Sequence, residues 1–338
     1  MRSRAFTEEE ETTVDSPSSA APEYAFEGFD IEFSEKVLIT PLTPGRNVVA
    51  TAQSRAYRAR ARQFTLDPDR AGSFIIPDIY PHDLRGNPRF EVLPGLVVDG
   101  KEVVGCVVKA SEGTGWKKES EDWFKNAWRR LRDVAPDRYG VDFFRGCYHF
   151  LRFKADGAAQ ADYMCDLVDA AGGWGDGDLM PWVDVEEGGQ GNWAPQRLES
   201  ITDPAVRKRL IDDVTACTTA FVNRFKERTG LRIAVYGRGL FRDLRMTDCQ
   251  FGADASVNPA YTSTIPRMEQ YGVPLDHIIF WQVQGTEERG APGSNRAQVA
   301  GFPWQIGDWG QVDYSVYIDG NNKGTLKSLR ERCLARRP

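Results

Sequence analysis

Val103-Val-Gly-Cys-Val-Val-Lys109 is an unbroken run of β-branched and small residues whose one charge comes at its end. A strand with one wet face alternates apolar and polar residues, whereas a run that is apolar throughout reads as a strand covered on both faces. The flanking sequence supplies the cover. Glu119 to Val134 carries Trp123, Phe124, Ala127, Trp128 and Leu131 at helical spacing, on one side. Val141 to Leu151, VDFFRGCYHFL, returns to strand, and Gly157 to Ala171 reads as a helix.

The alternation extends in both directions. Ser73-Phe-Ile-Ile-Pro-Asp78 is a short strand before the deciding run, and Leu179 to Val185, LMPWVDV, is one after it. Asp203-Pro204 pairs a helix N-cap with proline at the first helical position, and Gly230 stands where that helix should stop. Arg232 to Tyr236, Ile278 to Val283 and Val312 to Tyr317 are further strands. Alternating strands and helices specify a parallel sheet with helices outside. So many units in this length fit an α/β fold closed as a TIM-like β/α barrel. An open doubly wound sheet would show a Gly-rich phosphate loop after its first strand, and none is present.

The expected organisation is an irregular N-terminal extension over residues 1–70, a barrel over 71–322 and a basic helix or tail over 323–338. The extension contains the acidic run Glu8 to Glu11, a Ser/Pro/Ala-rich stretch from Ser16 to Pro22, a strand-like piece within Ile31 to Leu42 and the basic segment Arg55 to Arg62. It reads either as a solvated tail or as an arm that orders on a partner. No internal repeat is visible.

The chain has 338 residues and a net charge of −6, so a general basic excess, the footprint of nucleic-acid binding, is missing. No apolar run reaches the roughly 18 residues of a membrane span. The first residues lack the apolar segment of a secretion signal. Any target outside the cell would then have to be reached by another route. Cys106, Cys147, Cys165, Cys217, Cys249 and Cys333 form no Cys-x-x-Cys pair, so they read as reduced and mostly buried rather than as a zinc site.

Barrel enzymes carry their chemistry at the C-terminal ends of strands. Asp184 and Glu186 close one of these strands. Two apart, they share a face and point into the same mouth. Neighbouring carboxyls cannot both ionise easily, and glycoside cleavage uses such a pair as proton donor and charged partner. A bare Asp-x-Glu is commonly a solvated acidic loop; the apolar strand before it gives this one weight. His149 reads as a satisfied core residue or as a group orienting a carboxylate. Trp174, Trp182, Trp193 and Trp281 are core filler or sugar-stacking platforms.

Six stretches in order resemble family 25 of the glycoside hydrolases, the muramidase lysozymes, over about residues 74 to 322. They are VVKASEGTGW from Val107, RGCYHFLRF from Arg145 with AAQADYM after it, LMPWVDVEE from Leu179, IAVYGRGLF from Ile233, IIFWQVQG from Ile278, and GQVDYSVYIDG from Gly310. The resemblance implies Glu186 as general acid and Asp184 as its partner. It implies Asp78 and Asp313 as groove acids holding the donor sugar, with Tyr148, Tyr236, Gln282, Trp281 and His149 as pocket positions. It implies no metal and no cofactor. Asp78 is followed by Ile79-Tyr80-Pro81-His82 where the family has Val-Ser, which leaves Asp83 as a rival. Ser111 stands where the family has Thr, and EGGQGNW from Glu187 marks an unusual loop.

The expected activity is cleavage of the β-1,4 bond between N-acetylmuramic acid and N-acetylglucosamine in bacterial peptidoglycan. The rival readings are an inactive lysozyme-like barrel serving as a glycan-binding or structural particle component, and a chitinase-like hydrolase. The latter would need acids at 182 and 179, where Trp182 and Leu179 stand. The extra mass at the N-terminus favours a phage particle component whose residues 1–70 dock on tail or baseplate proteins over a free endolysin.

Overall fold

The structure is a computed structural model. It describes residues 69–79, 90, 93–94, 97–98, 101–133, 143–186, 201–237, 240, 244–259, 272–284 and 313–335. By internal contacts the chain divides at Val48/Val49, and every described residue belongs to the second unit. Apart from Asp69 and Arg70, the extension expected over residues 1–70 lies outside the described residues, as do Asp83, Trp193 and the loop after Glu187.

Eight strands close a barrel. They are β1 (Phe74–Ile79), β4 (Gly105–Glu112), β5 (Phe144–Phe150), β6 (Trp182–Asp184), β7 (Ala234–Tyr236), β8 (Ala255–Pro259), β9 (Ile278–Gln284) and β10 (Asp313–Asp319). They pair in that order, and β10 returns to β1. The short strands β2 (Val97–Val98) and β3 (Lys101–Val103) extend the sheet beside β1, and β11 (Asn322–Lys323) pairs with β10.

Neighbours from β1 to β9 run parallel, as the covered apolar run requires, but β10 is antiparallel to both β9 and β1. The all-parallel expectation therefore fails at the closing strand. β9 finishes at the mouth formed by the C-terminal strand ends, and β10 begins there. Asp313 reaches the mouth from the start of its strand, not from the end. β8 carries no long apolar run in its sequence, Ala-Ser-Val-Asn-Pro, and escaped the sequence reading.

Among the described residues, three helices cover the outside: α1 (Lys118–Asp133), α2 (Gly157–Ala170) and α3 (Pro204–Thr229). α1 buries Phe124, Ala127, Trp128 and Leu131, the stripe expected at helical spacing. α3 starts as its sequence specifies. The Asp203 carboxylate accepts from the Ala205 and Val206 amides, and Pro204 needs no hydrogen-bond partner. Gly230 ends it with φ 66°, a left-handed turn that costs glycine nothing.

Alternation along the strands makes two cores. Ile76, Val107, Trp182, Val257, Phe280 and Tyr317 fill the barrel, while Val108, Cys147, Val183, Val235 and Trp281 face the helices. A short C-terminal helix, α4 (Leu326–Arg332), belongs to the first of these. Leu326, Leu329, Cys333 and Leu334 pack into the interior cluster. The Cys333 carbonyl accepts from the Met180 amide at 2.6 Å, and that of Asp178 from the Ala335 amide at 2.7 Å. Lys327 and Glu331 are exposed on its outer side, and its apolar residues plug the floor of the barrel. The six cysteines are free thiols, five of them buried and Cys249 exposed.

Candidate active site

The mouth is assembled by the backbone ladder. β6 is only three residues long, yet both flanks are fixed: the Leu151 amide donates to the Asp184 carbonyl at 2.9 Å, and the Val185 amide to the Tyr236 carbonyl at 2.8 Å. Val183 and Val185 face the helices. Trp182 and Asp184 must then face the barrel, and Glu186 follows them on the same side. Asp184 is buried beside the register positions of Phe150 and Tyr236, while Glu186 is partly exposed. Gly237 allows β7 this close, because a Cβ there would stand 2.4 Å from the Val185 carbonyl oxygen.

A second group of polar side chains faces the first. Asp78 at the end of β1 and Asp313 at the start of β10 are register partners. Gln282 of β9 joins them: its Nε2 donates to Asp78 Oδ2 at 2.8 Å and approaches Asp313 Oδ2 at 3.5 Å. The Tyr236 hydroxyl donates to Gln282 Oε1 at 2.8 Å, and the Tyr236 ring stacks on Trp182 with 7° between planes. Four strands thereby tie their ends together. Burial pushes the Asp78 carboxyl up from its ordinary 3.8 to about 6, against the smaller opposing pull of the Gln282 hydrogen bond. Tyr148 is half-buried on the same inner face, in register with Lys109 and Trp182.

The residues match a known sequence pattern. The family model for glycosyl hydrolases family 25 covers residues 97–288. The chain belongs to glycosyl hydrolase family 25. It is accordingly a glycoside hydrolase. No curated protein matches the chain. Among solved structures it is similar to a family 25 lysozyme from Aspergillus fumigatus, at 19% identity and a TM-score of 0.48, covering 76% of this chain and 97% of that one. It is also similar to a family 25 glycosyl hydrolase from Bacillus anthracis, at 18% identity and 0.49, covering 79% and 95%. A third is the bacterial lysozyme from Streptomyces coelicolor, at 19% and 0.48, covering 76% and 95%.

In this family 25 hydrolase, two residues read from the sequence as pocket positions stand elsewhere. His149 is 0% exposed on the outer face of β5. Its Nδ1 meets the Ser111 hydroxyl at 2.7 Å, its Nε2 meets Gln160 Oε1 at 3.1 Å, and its ring stacks on Phe221 of α3. The surroundings drive its pKa down to about 3, chiefly by burial. It is a core histidine that ties β4 and β5 to α2. Trp281 faces the helix layer, one residue out of phase with Gln282. Of the other tryptophans, Trp182 fills the barrel and Trp174 packs edge-on against Trp128 and Phe225 among the helices.

One charged cluster at the rim was not singled out from the sequence. Lys109 Nζ lies 2.6 Å from Glu112 Oε2 and 4.8 Å from the Phe150 ring centroid, and Arg152 pairs with the other Glu112 oxygen. The two cations hold the Glu112 carboxyl below its ordinary range despite burial. The β4–β5 register shifts between Lys109 and Ser111, within this cluster. A bulge of this kind leaves no mark in hydrophobic periodicity. Among the described residues, the one cluster with metal-ligand chemistry, Asp248, Cys249 and His277, lies outside this mouth.

Proposed function

We propose that this glycoside hydrolase is a muramidase, cutting the β-1,4 bond between N-acetylmuramic acid and N-acetylglucosamine in peptidoglycan. The observation that carries the reading is the convergence of Asp184 and Glu186 with Asp78 and Asp313 at one strand-end mouth of a family 25 barrel. Glu186, the more exposed of the two acids at the end of β6, is the general acid that protonates the departing glycosidic oxygen. Asp184 stays closer to the reacting carbon and supports the positive charge that develops on the donor sugar. Asp78 and Asp313, held together by Gln282, grip that sugar, with Tyr148 on the adjacent wall.

The bond specificity is tested on the product. Digested peptidoglycan is reduced with borohydride and hydrolysed, and the new reduced ends are identified. Muramicitol as the new end supports the muramidase reading. Glucosaminitol assigns the opposite bond and overturns it.

A finer proposal concerns setting: the chain works as a phage particle component, with residues 1–70 docking on tail or baseplate proteins. The acidic-then-basic character of that segment supports it. A chain lacking residues 1–70 that still co-purifies with the particle rules it out. No helix among the described residues is long and apolar enough to cross a membrane.

A further inference from the structure

At the floor of the barrel, two short turns meet. One, Asp248–Phe251, leads into β8, and the other, Leu275–His277, runs directly into β9. Both precede their strands, so they lie at the end opposite the mouth. Asp248 Oδ2 stands 2.5 Å from His277 Nδ1, and Cys249 Sγ stands 3.6 Å from that same nitrogen. A ring nitrogen carries either a hydrogen or a lone pair. With its hydrogen it serves the carboxylate, and with its lone pair it serves the thiol; it cannot serve both. In addition, Asp248 is 0% exposed, and its second oxygen, Oδ1, is buried with no hydrogen-bond partner among the described residues.

We propose that Asp248, Cys249 and His277 form a binding site for a borderline transition-metal cation of the zinc type, separate from the glycosidase mouth. One carboxylate, one thiolate and one imidazole are the donor set such ions take, and a fourth position remains for water. The geometry is near what binding needs. A tetrahedral zinc with ordinary bond lengths separates a sulfur and a nitrogen ligand by about 3.6 Å, the spacing already present between Cys249 Sγ and His277 Nδ1. The carboxylate–imidazole contact has to open by somewhat under 1 Å, roughly, as the cation replaces the hydrogen between them. His277 then carries a hydrogen on Nε2 and presents the Nδ1 lone pair to the metal. The Cys249 thiol releases one proton to solvent, so one metal taken up frees one proton. Cys249 is the one exposed cysteine of the six and stands open to an incoming ion.

The test uses the full-length protein, freed of metal with a chelator and titrated with Co2+. The expected result is one equivalent bound, with a thiolate-to-cobalt charge-transfer band in the near ultraviolet that excess Zn2+ abolishes. Cys249→Ser removes the band, and His277→Ala weakens binding by at least the roughly tenfold that losing even a ligand's supporting partner costs. Absence of the band with cobalt in large excess overturns the site, as does a band that persists undiminished in Cys249→Ser. Cys249 is exposed, so its serine variant keeps the fold, and unchanged thermal unfolding of the metal-free variant checks this. Wall hydrolysis is not the readout, and the muramidase reading stands or falls separately.

Discussion

The Gln282 side-chain amide donates to the Asp78 carboxylate across 2.8 Å, joining residues 204 positions apart. The same amide accepts from the Tyr236 hydroxyl and approaches Asp313. One neutral residue thus sets the positions of two acids and a phenol. Gln282→Leu keeps much of the volume and removes every one of these bonds. Leaving the buried partners unsatisfied costs about 1–3 kcal/mol of stability. Misplacing the acids lowers kcat/KM by up to about 10²-fold. Chemical denaturation and peptidoglycan turnover measure the two effects. A folded variant with undiminished kcat/KM contradicts the positioning role.

Asp78 makes stability depend on pH in a direction opposite to most carboxylates. Its folded pKa, about 6, lies above the ordinary 3.8 because burial disfavours the charge. Between those values the folded chain holds a proton that the unfolded chain has released. Stability from this group therefore rises as pH falls from about 6 towards 3.8, and its cost is fully present and flat above 6. Asp78→Asn carries no such charge. Its stability relative to wild type should be higher at pH 7.5 than at pH near 4, in unfolding titrations at both. A pH-independent difference contradicts the raised pKa.

His149 works with the opposite sign. Its folded pKa is lowered from 6.5 to about 3, so the unfolded chain binds the extra proton first. Its contribution is complete above 6.5 and is lost as pH falls towards 3, at no more than about 1.4 kcal/mol per pH unit. His149→Gln should lack this slope. Since the side chain faces Gln160 and Phe221, away from the mouth, KM of the folded variant at neutral pH should stay within a few-fold of wild type. A large rise in KM contradicts that placement.

The base of the barrel depends on one buried ion pair. Arg145 on β5 meets Asp178 through two nitrogens, at 2.5 and 2.8 Å. It also donates to the Trp128 and Gly173 carbonyls and lies 3.9 Å from the Trp128 ring. Asp178→Ala leaves the guanidinium buried without its counter-charge, which costs about 3–5 kcal/mol. Thermal unfolding measures it, and a loss below about 1 kcal/mol is the contrary result.

Much of this site was legible because strand chemistry is local. Asp184 and Glu186 share a face by alternation alone, and an apolar run such as Val103 to Lys109 implies a strand covered on both faces, here by the barrel interior on one and the helices on the other. What escaped depends on long-range pairing. The reversed direction of β10 is set by which strands it meets. β8 has Asn258 and Pro259 in place of an apolar run. The period that places Gln282 in the mouth puts Trp281 outside it, but only the register with β8 and β10 decides which is which. His149 shows the limit from the other side, since its neighbours Ser111, Gln160 and Phe221 come from three elements. Likewise Asp248 and His277 are 29 positions apart, a spacing that matches no metal motif.

The proposed role of Glu186 as the proton donor in glycoside cleavage is tested most directly by one comparison. Release of reducing ends from purified peptidoglycan is measured for wild type and for Glu186→Gln, which keeps shape and removes the proton donor. The expected result is active wild type and a loss of about 10²–10⁴-fold in the folded variant. A folded Glu186→Gln enzyme with wild-type kcat contradicts the account.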